Sequence, residues 1–430
     1  MPQSNIDWTV AELAEQSQST PFDCVIVGGG SAGLTTARTL AESGKQVAVL
    51  EAGPAPFLTH IVNTELRFSR DLTRSVRGQV QYSPTLPDGE AFGNNYGCLG
   101  GRGLFWNGAS PRYREYDFDG WPFGVKELEP HYLWAEREFR VTRQLGETTL
   151  AKRIIDSLAT SGFPAQACPF AIDVDALGRG SLSAGVASGL GAFFRAAGSA
   201  VASGQIKIAT SSLAERIHHA DGAARGVIAS PTGQDRSAEI FARSVVLAGG
   251  GVETIRLASN SELPDASGRL GLGIQDHIFY RCYFEGPHVY DPAQPDVAIV
   301  YIPAGSQQTG QWEIHAPGPR LFTVDDGQGW SPATGGPYRL MIRSFAATEK
   351  RDENRVEARE GGLGSATVHF SYTDKDEAQK ETLKQHALEI GKALKLELAE
   401  DRLSGPGGSY NEAGGLDMGT DPSNSVTDAG

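Results

Sequence analysis

The run from residue 23 to 53 leaves few folds open to this chain. It reads Asp-Cys-Val-Ile-Val-Gly-Gly-Gly-Ser-Ala-Gly-Leu, then a helical stretch, then Gln-Val-Ala-Val-Leu-Glu-Ala-Gly. The short apolar run 24–27 suits a strand buried on both faces of a parallel sheet. Gly28, Gly30 and Gly33 follow at the G-x-G-x-x-G spacing. The first permits a tight turn, the second lets a pyrophosphate approach the backbone, and the third lets a helix pack closely on the strand. Ser31 opens a helix predicted over 31–43, whose N-terminus attracts that pyrophosphate. A second strand is predicted over 47–50. Glu51 sits at its end, where a carboxylate binds ribose hydroxyls. A lone glycine fingerprint is weak. Here strand, turn, helix, strand and acid stand in register, and dinucleotide binding outweighs a chance glycine turn.

With 430 residues the chain can bury a large core, and its length suggests two or three domains. The 53 glycines follow no period, so neither a collagen-like nor a repeat architecture is implied. A net charge of −14 argues against nucleic acid or an anionic membrane as partner. Cys24, Cys98, Cys168 and Cys282 are far apart and form no C-x-x-C pair. A reducing cytoplasm, without disulfides or a metal site, is the simpler reading. Residues 1–20 are polar and do not read as a signal peptide, and no segment is apolar for long enough to span a membrane.

Residues 54–93 show no clear pattern. A glycine-rich run then extends from Asn94 to Arg112, with Leu104, Phe105 and Trp106 interleaved. Its glycines would let backbone N–H groups approach a ligand, and the buried-type aromatics argue against a plain surface loop. Helices are predicted over 122–141, 150–161, 192–202 and 374–399, a loop over 171–190, and short strands over 206–208 and 214–217. Residues 244–258 repeat the opening logic of apolar strand, glycine turn and helix, with Ala248, Gly250 and Glu253 at the turn. A second βα unit without ligand contact is the alternative reading there. Between 278 and 372 come β-like runs at 296–302, 320–324, 338–344 and 364–372, parted by glycine and proline turns. They suggest a mostly antiparallel sheet.

Taken in order, these segments resemble the glucose-methanol-choline (GMC) family of flavin oxidoreductases over nearly the whole chain. The resemblance rests on the opening fingerprint with Glu51-Ala52-Gly53, on Gly100-Gly101 followed by Asn107-Gly108 and Arg112, and on Gly120-Trp121-Pro122 with Leu128-Glu129-Pro130. It continues through Val245 to Leu257, Gln275-Asp276-His277, and Glu412-Ala413-Gly414 with Met418-Gly419-Thr420-Asp421-Pro422. Within the family the Gly100 to Arg112 run is most similar to the bacterial pyranose-oxidase-like branch, which oxidises sugars or sugar-like alcohols.

The resemblance implies an α/β fold in which a Rossmann-like FAD-binding domain holds an inserted substrate domain on a mostly antiparallel sheet. The expected division is 20–125 and 205–277 for the FAD domain, 126–204 for a helical segment on the substrate side, 278–404 for the substrate domain, and 405–430 for the start of a catalytic segment. It implies FAD rather than NAD. Gly28, Gly30, Ser31 and Gly33 would hold its pyrophosphate, and Glu51 and Ala52 would flank the ribose. Gly100, Gly101, Asn107, Gly108 and Ala109 would lie along the flavin. Ala214 would meet the adenine edge, and Ala248, Gly250 and Glu253 would complete the site. In some members a histidine just before the tryptophan is bonded to the flavin. Phe105 stands there, so non-covalent FAD is expected.

The family's chemistry is hydride transfer from an alcohol carbon to the flavin while a base takes the hydroxyl proton. The base is usually a histidine directly before the Glu-Ala-Gly run, where this chain has Asn411. An amide can orient a hydroxyl but cannot accept its proton near pH 7. The family also continues past residue 428 into a tail that carries a second polar catalytic residue, and the sequence given is expected to lack that tail. His277 is expected to be structural, His218 and His219 to be solvated, and His369 to face the core or the pocket.

The leading expectation is oxidation of a sugar, glycoside or polyol to a carbonyl, with O2, a quinone or a redox protein as electron acceptor. A catalytically impaired flavin-binding homologue and a redox-neutral lyase on the same fold are the alternatives. The sequence does not set the oligomeric state.

Overall fold

Strand Cys24–Val27 lies at the centre of a parallel sheet, as its unbroken apolar sequence demands. In this computed structural model, which describes residues 6–428 apart from 65, 67–68, 176–184, 287–296, 307–308 and 317–338, that sheet has four strands. Their order is Val245–Leu247, Cys24–Val27, Val47–Leu50 and Ile206–Ala209, all parallel. Alternate residues feed two cores. Cys24, Ile26, Val47 and Val49 pack with Leu34 and Ala37 of helix Ser31–Glu42 and with Leu190 and Phe193 of helix Gly189–Ala202. On the other face, Val25, Ala48 and Leu50 meet Leu13 of helix Val10–Ser19 and Ile217, Val227 and Ile240 of a three-stranded antiparallel sheet. Fully burying each such aliphatic chain contributes about 1.5–3 kcal/mol.

The second body is a six-stranded antiparallel sheet. Its order is Glu397–Leu403, Ile278–Glu285, Leu340–Ala346, Gln311–Ala316, Ala298–Ile302 and Gln166–Ala167. Period-two alternation divides its faces. Tyr280, Cys282, Phe284, Ile342 and Ile314 are packed with Leu158 of helix Thr149–Thr160 and with Leu383 and Ile390 of helix Asp374–Ala393. The intervening residues, among them Phe279, Arg281, Glu313, His315, Arg343 and Phe345, occupy the opposite face.

The expected α/β class with an antiparallel second sheet is observed, and several boundaries move. The helix expected over 122–141 is Val125–Glu138, because Gly124 is its N-cap and the Glu127 carboxylate accepts the Gly124 N–H. The helix expected to reach 399 ends at Ala393. Lys395 turns left-handed at φ +56°, and residues Glu397–Leu403 become an edge strand. The strand expected over 364–372 is only Ala366–His369. It pairs with Arg355–Ala358 outside the large sheet, and Val356 and Val368 pack against Val252 and Ile255 of helix Gly251–Asn260.

Residues 54–93 contain helix Arg70–Val80, and the polar N-terminus forms helix Val10–Ser19 on a Thr9–Glu12 capping box. Strands Ala223–Pro231 and Ala238–Phe241 were not foreseen. The first returns from Ser212–Ala220 through an Asp221-Gly222 turn with φ +54° and +74°. The β-like run expected at 320–324 lies outside the described residues, as do residues 176–184 of the loop expected over 171–190.

Candidate functional site

The turn between strand 24–27 and helix 31–42 is built from approaches that only glycine allows. Gly28 has φ +108°, and a Cβ there would lie 2.3 Å from the Ala248 oxygen. A Cβ on Gly33 would lie 2.0 Å from the Gly28 oxygen, which locks the helix onto the strand. Gly30 is different: a Cβ there would meet nothing within 4 Å. Gly30 is also the N-cap of helix Ser31–Glu42 and contributes no side-chain cap. The first-turn N–H groups of Ser31, Ala32 and Gly33 therefore lack an intrahelical acceptor at the edge of open space, an arrangement that suits a phosphate.

Glu51 is buried at the end of the next strand. Its two carboxylate oxygens accept the N–H groups of Gly29 and Gly53, each at 2.9 Å. Burial pushes its carboxyl upward against those two bonds. The acid thus braces the glycine turn, and each oxygen keeps a further lone pair for a hydroxyl. The Ala52 carbonyl accepts the Thr232 hydroxyl at 2.5 Å. Ser212 N–H donates to the Glu51 carbonyl at 2.9 Å, which brings strand Ser212–Ala220, and Ala214 within it, to the same end of the sheet.

The second βα turn is joined to the first, since Ala248 N–H donates to the Val27 carbonyl at 2.7 Å. Gly250 caps helix Gly251–Asn260 without a side chain. Glu253 is buried, and both its oxygens are taken up inside the protein, by Arg256 Nε at 2.8 Å and by Gly364 N–H at 2.8 Å.

The glycine run continues from this turn. Gly100 N–H donates to the Gly29 carbonyl at 2.8 Å, and a Cβ on Gly101 would stand 3.4 Å from Gly30 Cα. Farther along, the Asn107 side chain is satisfied at both ends. Its Oδ1 accepts Ala109 N–H at 3.2 Å and its Nδ2 donates to Glu313 at 3.1 Å. Gly108 backs onto Phe170, whose ring would lie 2.9 Å from an added Cβ. Glu313 also accepts from Arg343 Nη1 at 3.0 Å and from His315 Nε2 at 3.2 Å. Burial raises its carboxyl, but Arg343 and His315 outweigh it and hold the group below its ordinary value. Because Glu313 reaches Asn107, the polar face of the six-stranded sheet looks onto the glycine run.

Asn411 is tied to the run through Arg102. Arg102 Nη1 donates to the Tyr410 carbonyl at 2.6 Å, and Nη2 pairs with Glu412 at 2.5 Å, so both neighbours of Asn411 are held. Asn411 N–H donates to Ser409 Oγ at 3.2 Å, and Ser409 in turn donates through its N–H (3.3 Å) and its hydroxyl to buried Asp276. Burial pushes Asp276 up to about 6 against those two bonds. Asn411 Nδ2 meets the Ser409 carbonyl at 2.8 Å and His277 Nε2 at 3.1 Å.

Phe105 is enclosed by protein. It stacks on Tyr96 at 4.5 Å and meets Phe57 edge-on at 5.9 Å. The nearby His60 is spent: its Nδ1 accepts Val62 N–H at 3.2 Å and its Nε2 donates to the Trp106 carbonyl at 2.7 Å. Three further histidines lie away from these residues. His218 pairs with Glu239, His219 meets the Ser261 carbonyl at 2.8 Å, and His369 pairs with Glu357 at 3.0 Å on the outer hairpin.

Comparison with known proteins agrees with this geometry. A sequence model of FAD dependent oxidoreductases matches residues 23–66, the span of the first fingerprint. Pyridoxine 4-oxidase from Mesorbium loti superposes with a TM-score of 0.64 at 19% identity, covering 95% of this chain and 91% of that one. A formate oxidase of Aspergillus oryzae RIB40, studied for FAD modification, superposes with a TM-score of 0.60 at 15% identity, covering 88% and 83%. The chain shares its fold with these two oxidases. No curated protein matches the chain in sequence.

Sequence reasoning missed three elements of this site. Arg102 lay inside the glycine run without a role, although a lone arginine among glycines and apolar residues is a legible signal. Glu313 and Arg343 alternate with apolar neighbours in strands, a pattern equally compatible with a solvated face. The contact between His277 and Asn411 had no sequence signal. Among the described residues no cluster of metal-ligating side chains occurs, and no helix is long and apolar enough to cross a membrane.

Proposed function

We propose that this chain binds FAD non-covalently and oxidises an alcohol group of a sugar, glycoside or similar polyol to a carbonyl. The open space over Gly30 at an uncapped helix N-terminus carries the reading, because unpaired N–H groups beside open space are what a dinucleotide's phosphates need. FAD fits the residues that follow. The N–H groups of Ser31 to Gly33 would hold the pyrophosphate and Glu51 a ribose hydroxyl. The backbone from Gly100 to Ala109 would run along the ring system, with Ala214 toward the adenine. FAD, when bound, supplies a two-electron hydride acceptor.

The chain's own residues do the rest. Asn411 offers an amide to a substrate hydroxyl. The face bearing Glu313 and Arg343 gives a hydroxyl-rich molecule donors and acceptors across from it. Phe105 leaves no imidazole where relatives of this type carry a flavin link, and His60 has both ring nitrogens engaged. Two oxidases among the structural neighbours favour O2 as electron acceptor over a quinone or redox protein. Four buried free cysteines suit a reducing cytoplasm.

The purified protein should be yellow, and acid precipitation should release all colour into the supernatant. Anaerobic addition of D-glucose, methyl α-D-glucopyranoside or myo-inositol should bleach it. A yellow protein bleached by none of them would favour the second reading, a flavin binder with impaired chemistry, which the amide at Asn411 supports. A colourless protein that takes up no FAD would end both.

A further inference from the structure

We infer that His277 is the proton acceptor for the alcohol and works beside Asn411, an assignment that rests on the alcohol-oxidation reading above. The two residues are 134 positions apart in sequence, yet Asn411 Nδ2 and His277 Nε2 lie 3.1 Å from each other. Their neighbours fix the protonation pattern. Asn411 Nδ2 also faces the Ser409 carbonyl at 2.8 Å, and a carbonyl only accepts, so this atom is the amide nitrogen. His277 Nε2 therefore faces an N–H and presents its lone pair. The ring proton sits on Nδ1, 3.3 Å from the Ile278 carbonyl.

The ring is held and neutral. Phe345 meets it edge-on at 5.0 Å. Burial pushes its pKa down to about 4, the Arg343 guanidinium works in the same direction, and the Glu313 carboxylate opposes. Asp276, the preceding residue, turns its carboxylate to Ser409. At neutral pH the imidazole is an unprotonated base.

Position completes the case. Asn411 is exposed and touches His277, which is partly buried, so an alcohol that reaches the amide is one contact away from the imidazole. The hydroxyl oxygen takes the Asn411 N–H, and the hydroxyl proton takes the lone pair that this N–H occupied. The O–H bond then breaks with its proton passing to Nε2. The C–H bond would break with its electron pair leaving as hydride to the oxidised flavin that the glycine turns would hold, and the C=O bond would form. One proton and one hydride leave the alcohol, and both have a named destination. The other histidines around the site cannot serve. His60 is engaged at both nitrogens, and His315 is fully buried with Nε2 on Glu313.

The test compares anaerobic flavin reduction in the holoprotein and in H277Q, using whichever of D-glucose, methyl α-D-glucopyranoside and myo-inositol bleaches the wild type. The rate should fall about 10²–10⁴-fold in H277Q with half-saturation little changed, and imidazole should restore part of it to H277G. A rate in H277Q within threefold of wild type overturns the inference while leaving the alcohol-oxidation reading intact. If no sugar bleaches the wild type, that reading fails and the inference falls with it. A second measurement needs no variant: ¹⁵N NMR of histidine-labelled wild type at pH 7 should show His277 protonated on Nδ1. A proton on Nε2 would overturn the assignment even if the variants do not fold.

Discussion

Arg102 holds Glu412 at 2.5 Å across 310 residues of sequence, and the same guanidinium donates to the Tyr410 carbonyl. One side chain of the glycine run therefore fixes the segment on both sides of Asn411. The Glu412 side chain is only 6% exposed, so removing its partner strands a buried carboxylate. Arg102→Ala should cost about 1–3 kcal/mol, discounted for the partial exposure of the arginine. It should also speed proteolysis within residues 405–428. Unchanged cleavage there would show that the segment is held by other means.

Gly30 and Gly33 should respond oppositely to a side chain. Gly30 has φ −75° and open space, so Gly30→Val should fold normally and lose retained FAD. Gly33→Val would drive a Cβ into the Gly28 carbonyl and should fail to give a stable protein. Thermal melting and the flavin spectrum of each separate the two effects. A Gly30→Val protein with a full complement of flavin would remove the pyrophosphate from this turn.

Asp276 should give stability a distinctive pH dependence. Its folded pKa is about 6, above the ordinary aspartate value of about 3.9, because burial penalises the charged form. A raised acid binds its proton more tightly in the folded state. The folded state is therefore favoured at low pH, and stability from this group falls as pH rises from about 4 to about 6. The difference corresponds to about 3 kcal/mol. Denaturant midpoints at pH 4.5 and 7, compared between wild type and Asp276→Asn, should show this loss only in wild type. Parallel pH profiles in both proteins would show that Asp276 titrates normally.

Asn411→Ala removes the N–H that orients the hydroxyl toward His277 and should slow flavin reduction by sugars about tenfold, the loss of one hydrogen bond of about 1–1.5 kcal/mol. Stopped-flow reduction under anaerobic conditions reads the effect. No change in rate would mean that Asn411 does not face the reacting alcohol.

The first glycine turn was legible because its determinants are local. The apolar run 24–27, the three glycines and Glu51 at the end of the next strand each declare a backbone shape within a few residues. Two other local signals were present and unread. Thr9 and Glu12 form a capping box, and Asp221-Gly222 marks a hairpin. The edge strand Glu397–Leu403 could not be read this way. Its sequence, Glu-Leu-Ala-Glu-Asp-Arg-Leu, has no β-branched residue, and its extended shape comes from pairing with Ile278–Glu285.

By itself the sequence determined the parallel sheet, the glycine turns and the presence of an amide at position 411. Tertiary structure alone decided what those residues touch. Asn107 meets Glu313 across 206 residues, Ser409 meets Asp276 across 133, and Asn411 meets His277 across 134. Backbone preferences act over a few bonds, so a pattern in the chain reveals them. Hydrogen bonds between distant side chains exist only after separately folded segments are brought face to face, and no local spacing encodes which partners will then be within hydrogen-bonding reach.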